Sequence, residues 1–228
     1  MRNLGFTVAR STVAAILDEQ GIATAPKRGR SMTWSEFLRA HWEAIAAMDF
    51  FTVEVLTLTG LVRYHVLFVL EFETRAVHIA GIVHQPDGAW MMQVGRNLTD
   101  AVDGFLLGKT HLIMDRDPVF THQFRRLLRD SGIEAVRLPA RSPNLNAYAE
   151  RFVGSIRREC LNRLVVLGEP HLRTIIKQYV AHYHVERNHQ ALGNALLQTE
   201  LPPANDNRTI HCRARLGGVL KYYHREAA

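Results

Sequence analysis

The stretch HLIMDRDPVF, residues 111–120, begins as an apolar strand and stops abruptly at Asp115-Arg116-Asp117-Pro118. An ionised carboxylate taken out of water must find a partner. The acids at this strand end are therefore either a solvated turn or the seat of a cation. The neighbours of the stretch decide the fold. Upstream, Pro86-Asp87 opens a helix on which Trp90, Met91, Val94, Leu98, Ala101, Val102 and Phe105 keep a 3.6-residue period. Downstream, a helix from about 121 turns Phe124, Leu127 and Leu128 inward and Gly132 follows its end; IEAVRL at 133–138 is then a further strand. A strand lying between two helices joins its sheet through helical crossovers.

Earlier in the chain the pattern differs. Three strand-like runs at 49–58, 61–71 and 76–83 are divided by Gly60 and by Glu73-Thr74, and connections this short predict an antiparallel meander. A Thr33-x-x-Glu36 capping box starts a helix before them, with Trp34, Phe37, Leu38, Trp42 and Ile45 on one face. After PARSPNLN (139–146) a helix runs from about 146, and Leu172, Ile175, Ile176, Tyr179, Val180 and Tyr183 mark another. The expected fold is α/β: a mixed five-stranded sheet, an antiparallel meander plus parallel strands, flanked by helices. The apolar stripes are its core.

The formal charge is +6 over 228 residues, with a pI near 9.7, a balance that attracts polyanions and puts nucleic acid first among partners. No stretch approaches the ~20 apolar residues of a bilayer span, and the N-terminus lacks a signal-peptide block. A soluble intracellular protein is expected. Cys160 and Cys212 have no Cys-x-x-Cys spacing, which argues against a disulfide framework or Cys-rich zinc module. His182 and His184 face different ways on a helix, so a shared metal site with His189 is disfavoured, as is one using His78 and His84. The tail CRARLGGVLKYYHREAA (212–228) either holds nucleic acid by charge and stacking or packs on the core through Tyr222 and Tyr223.

Three carboxylates stand out. Asp49 sits at the start of a strand between apolar flanks, on one face with Phe51, Val53 and Val55, whereas Glu54 points the other way. Asp115 ends its strand. Glu150 lies early in a helix, at the edge of the buried stripe of Ala149, Phe152, Ile156 and Cys160, with Asn146 one turn before it and Arg157 two turns after. Taken singly, each acid has a plain explanation as turn former, cap or helix-dipole partner. Asp117, beside Pro118, fits a turn.

Together, MDFF with Asp49, IMDRDPVF with Asp115 and SPNLNAYAERFVGSIRREC with Glu150 resemble the DDE transposase and integrase superfamily. The likeness is strongest to insertion-sequence transposases with a retroviral-integrase-type catalytic core. It runs from about Trp34 to Leu192, with HYHVERNHQAL (182–192) similar to the family's closing element, and Asp115 and Glu150 stand 35 positions apart, close to the family interval. Asn188 departs from the family's usual proline.

The resemblance implies a ribonuclease-H-like fold and metal-dependent 3′-end cleavage and strand transfer during DNA integration. Asp49, Asp115 and Glu150 would be the catalytic and metal-binding residues for two Mg2+ ions, with Mn2+ as substitute. Asn144, Asn146, Arg157, Arg158 and Arg141 would contact DNA. The partners implied are double-stranded DNA, as element ends and target, and further copies of the chain assembled on it. The expected setting is a bacterial-type cytoplasm, on the nucleoid. The expected organisation is a partial helix-turn-helix remnant and basic linker (1–32), an integrase catalytic core (33–195) and a basic tail (196–228). The alternatives are a same-fold nuclease that cuts without joining, and a non-catalytic truncated relic or regulator.

Overall fold

A computed structural model of the chain describes residues 9–20, 33–138, 146–198 and 209–225. They fall into two compact units, one within residues 1–40 and one within 41–228. The first contains α1 (Arg10–Glu19) and α2 (Trp34–Ala40). The capping box at the start of α2 is formed: the Thr33 N–H donates to Glu36 at 2.8 Å, and the Glu36 N–H to the Thr33 hydroxyl at 3.3 Å. The basic linker at 22–32 lies outside the described residues.

The second unit opens with a 3-10 turn at Trp42–Ala44 and enters β1 (Ile45–Thr57). The helix expected to carry Trp42 and Ile45 thus ends at Ala40, and the strand begins four residues before the expected Asp49. The reason is burial on both faces. Ile45, Ala46, Ala47 and Met48 are fully buried between neighbouring strands, and a short run apolar on every side carries no period to separate strand from helix.

β2 (Gly60–Glu71) pairs antiparallel with β1, and β3 (Val77–Val83) antiparallel with β2. β4 (His111–Met114) runs parallel to β1, and β5 (Glu134–Arg137) parallel to β4, giving the order β3-β2-β1-β4-β5. The mixed five-stranded sheet is therefore as expected. Its crossovers carry α3 (Gly88–Leu98) and α4 (His122–Asp130). Asp87 caps α3 by accepting the Trp90 N–H at 2.7 Å. α3 stops at Leu98, short of the expected Phe105. There Thr99 turns its hydroxyl back to the Gly95 carbonyl and Asp100 accepts the Val102 N–H, so the chain coils into turns and Val102 stands exposed.

Two helical layers cover the sheet. Met91, Val94 and Leu98 of α3 and Phe124 and Leu128 of α4 pack on Met48, Leu67, Leu112 and Met114. On the opposite face α5 (Ala147–Glu159) and α6 (Gly168–Val185) build an aromatic layer, with the Phe152 ring 4.8 Å from Phe68 and 5.2 Å from Tyr183. Gly81 on β3 makes room for the Trp90 indole, because a Cβ there would fall 2.5 Å from its Cζ2 atom. Gly81→Ala is expected to cost about 1–3 kcal/mol, read from urea midpoints. An unchanged midpoint would show that the indole turns aside freely.

The tail forms a hairpin, β6 (Ile210–Arg215) and β7 (Leu220–Arg225), whose turn carries Gly217 and Gly218 at positive φ. It packs through its arginines rather than its tyrosines. Arg213 and Arg215 both reach Glu186 at the end of α6, whereas Tyr223 is 63% exposed and Tyr222 stacks on His224. The histidines have structural partners too. His182 Nδ1 meets Glu186, His184 Nε2 accepts the Val77 N–H, and His189 Nε2 faces the Tyr183 carbonyl. Among the described residues no helix is long and apolar enough to cross a membrane.

Candidate active site

The parallel pairing of β1 and β4 matches Ile45 with His111 and Ala47 with Ile113. Carried two residues further, that register sets Asp49 level with Asp115 on neighbouring strands, which lie roughly 4.8 Å apart. Alternation fixes the face. Phe51, two residues beyond Asp49, packs on Phe68 and Phe152, so Asp49 shares the α5 side of the sheet. Leu112 and Met114 belong to the opposite core, which puts Asp115 on the same side as Asp49.

The start of α5 lies beside Asp49. Asn146 precedes its first turn, is buried at 4% exposure, and extends its amide Nδ2 to 3.4 Å from Asp49 Oδ2. Its Oδ1 is buried without a hydrogen-bond partner among the described residues. Glu150 lies one helical turn on and is exposed. Arg157 and Arg158 are exposed in the last turn of α5, while Arg141 and Asn144 lie outside the described residues. Asn146, expected as a DNA contact, is thus tucked against an acid. Glu54 points away, in a surface pair with Arg63 at 3.3 Å.

Electrostatics ties the acids together. Burial pushes the Asp49 carboxyl up from 3.8 to about 6; the Phe50 N–H at 2.8 Å opposes this, and the charges of Asp115, Glu150 and Asp117 add to it. Asp115 Oδ1 accepts the Asp117 N–H at 2.9 Å, and Asp117 Oδ1 the Val119 N–H at 2.9 Å, so Asp117 is the turn former expected from its proline neighbour. As the side chains lie, no three His, Cys, Asp or Glu among the described residues stand close enough to hold one ion. Glu150, exposed on the first turn of α5, is not fixed in place by burial. The donor set itself fits a hard divalent cation: carboxylate oxygens with an orphaned amide oxygen beside them. Arg116, which the sequence did not single out, donates from Nε to the Leu138 carbonyl at 2.8 Å and ties the end of β4 to the end of β5.

The raised Asp49 pKa carries a stability prediction. A carboxyl whose folded pKa lies above its unfolded value stabilises the fold fully only below about 3.8 and loses that contribution as pH rises through about 6. At pH 7.5 with a chelator present, ionised Asp49 therefore works against folding. Asp49→Asn is expected to raise unfolding free energy there by about 1–3 kcal/mol, with the gain vanishing near pH 4. A pH-independent difference in urea melts would disprove it.

Residues 131–196 match the family described as the integrase core domain. An uncharacterized 39.2 kDa insertion-element protein of Xanthomonas euvesicatoria is 30% identical over 135 residues, 59% of this chain. That alignment spans only 36% of the relative's length. Among solved structures, the catalytic domain of a mariner transposase superposes with TM-score 0.53 and 13% identity, covering 65% of this chain and 75% of that one. The catalytic core of HTLV-2 integrase, solved with magnesium, gives TM-score 0.45 and 18% identity over 62% and 86%. The five-stranded sheet with its flanking helices is the ribonuclease-H-like fold of integrase and transposase cores, as the resemblance implied.

Proposed function

We propose that residues 33–195 form the catalytic core of a metal-dependent DNA transposase or integrase, with Asp49, Asp115 and Glu150 as its catalytic and metal-binding residues. The observation that carries this assignment is the β1–β4 register, which, extended two residues past its Ala47–Ile113 pair, brings Asp49 level with Asp115 just past the end of β4, where the Glu150 charge is also felt. Magnesium, with manganese able to replace it, would supply charge neutralisation for an in-line phosphoryl displacement and activation of the attacking hydroxyl or water. Asp49 and Asp115 are held by strand register, so their spacing costs little reorganisation on binding. Asn146 braces Asp49 through its amide, and Arg157 stands two turns beyond Glu150 as a cation for the DNA backbone.

The chemistry takes two steps. Water cleaves a phosphodiester and leaves a 3′-hydroxyl; that hydroxyl then attacks a second phosphodiester, forming one P–O bond as another breaks. The exchange needs no nucleotide fuel and no covalent enzyme adduct. The substrates are the ends of a DNA element and a target duplex, handled by copies of the chain assembled on DNA, in the cytoplasm of a bacterial-type cell. The likeness to a bacterial insertion-element protein and to a mariner transposase fold supports this reading.

The test supplies pre-cut duplexes with free 3′-hydroxyls, a plasmid target and magnesium, and looks for joined products. Joining supports the assignment. Hydrolysis without joining identifies a same-fold nuclease instead.

A further inference from the structure

Against α5 lies a cavity of about 780 Å3 lined by Arg75, Tyr148, Arg151, Arg158, Tyr183 and Arg187 among others. Around the α5 axis from Glu150, Tyr148, Ser155 and Glu159 stand about 140–180° away, and Arg151 and Arg158 about 80–100° on the flanks. One acid enters the cavity wall, and it is taken. Glu159 receives both the Nε and Nη2 atoms of Arg187, at 2.8 and 2.7 Å.

The other three arginines have no acidic partner among the described residues. Arg75 sits in the β2–β3 connection at φ +61°. Its guanidinium lies 3.8 Å over the Tyr148 ring and 4.9 Å over Trp42, and its Nη1 is buried with no hydrogen-bond partner among the described residues. Arg151 lies 5.5 Å over the same tyrosine ring. Arg158 folds back along α5, with Nη1 3.3 Å from where a Cβ on Gly154 would stand.

A buried guanidinium N–H without an acceptor is costly, and like charges gathered around one cavity add to that cost. An anion placed between them would remove both penalties. The aromatic rings already hold the Arg75 and Arg151 forks, so little side-chain freedom remains to be lost on binding. Planar forks match phosphate oxygens in paired hydrogen bonds, and the cavity has room for more than a single phosphate.

We propose that this cavity is a phosphate-binding site that grips the DNA backbone at a point separate from the three acids, a role that rests on the DNA-processing assignment. Arg75, Arg151 and Arg158 supply the charge, while Arg187, held by Glu159, shapes the wall. Tyr148, Ser155 and Glu159 turn the cavity floor away from Glu150, so a strand held there is distinct from the segment presented to Asp49 and Asp115.

The test uses the full chain with a chelator present, which keeps metal chemistry out of the readout. Anisotropy of a labelled short duplex is followed across a salt series. Arg151→Ala is compared with Gln190→Glu, an exposed cavity-lining position where the change adds one negative charge at nearly constant volume. Asn97→Asp on α3, across the sheet, makes the same charge change as a control. Arg151→Ala and Gln190→Glu should each weaken binding about five- to tenfold, Asn97→Asp less than about twofold, and Arg151→Ala should flatten the salt slope by roughly one. Equal effects from all three, or none, overturn the proposal. So does a 5′-mononucleotide that fills the cavity without displacing the duplex. Failure here leaves magnesium-dependent joining untouched, whereas loss of joining with this binding intact would sink the catalytic assignment instead.

Discussion

Asp115→Asn is expected to lower magnesium-dependent DNA joining by at least about several hundred-fold while leaving the fold and metal-free DNA binding in place. As the proposed metal ligand, Asp115 would hold charge neutralisation of several kcal/mol, and each 1.36 kcal/mol lost is about tenfold in rate. The substitution keeps the local structure: Asp115 Oδ1 accepts the Asp117 N–H at 2.9 Å, and an asparagine carbonyl oxygen accepts it equally well. Asp117→Asn is the matched control two residues away. Its carboxylate accepts the Val119 N–H and serves the turn, so the variant should keep activity within about threefold. Glu150→Gln should behave like Asp115→Asn, since its exposed side chain has no structural partner among the described residues to lose. Comparable rates for Asp115→Asn and the unaltered protein would remove the carboxylates from the mechanism. A large loss for Asp117→Asn as well would shift the ligand assignment to the turn.

How much of this was legible in the sequence depends on whether the causes were local. The mixed sheet was legible because its signals are: Gly60 between two alternating runs, the Asp87 cap, and the apolar stripe of α4 bounded by Gly132. Asp115 and Glu150 could be picked out because they sit where a strand ends and a helix begins, and Asp49 because it is an acid between apolar flanks. What brings Asp49 and Asp115 level, the β1–β4 register, is a tertiary fact. The first turns of β1 were misplaced because Ile45–Met48 are buried on both faces and show no period. α3 was drawn too long because its apolar spacing continues past the point where Thr99 and Asp100 unwind it. Of the arginine cavity the sequence pointed only to Arg158, as an expected DNA contact, and not to the grouping. Arg75 belongs to a strand connection and Arg151 to a helix far along the chain, and only the folded sheet sets both against Tyr148.

Glu186→Gln is the substitution expected to do most damage to stability, about 2–4 kcal/mol. The Glu186 side chain is 1% exposed and collects Arg215 in a paired contact at 2.6 and 2.8 Å, Arg213 at 3.4 Å and His182 at 3.0 Å. Burial alone would raise its pKa, but the hydrogen bonds of Arg215 and His182 and the Arg215 charge outweigh burial and hold it down at about 2, against an ordinary 4.5. A folded pKa below the unfolded one means stability that is complete above about 4.5 and lost as pH falls toward 2. Glutamine preserves the volume, yet it strips the charge that compensates two arginines and leaves Arg215 facing a neutral amide. The wild-type protein should therefore lose stability steeply between pH 4.5 and 2, and the variant should lose less over that interval because part of its loss is already present at pH 7. The hairpin should register the change first. Glu186 and the bond from the Leu216 N–H to Gln178 are polar ties between the β6–β7 hairpin and α6, so amides of Ile210–Arg225 should exchange faster in the variant while those of β1 keep their protection. Uniform loss of protection across the sheet would show instead that Glu186 supports the whole core. An unchanged acid limb would show that the ion pair contributes nothing to folding.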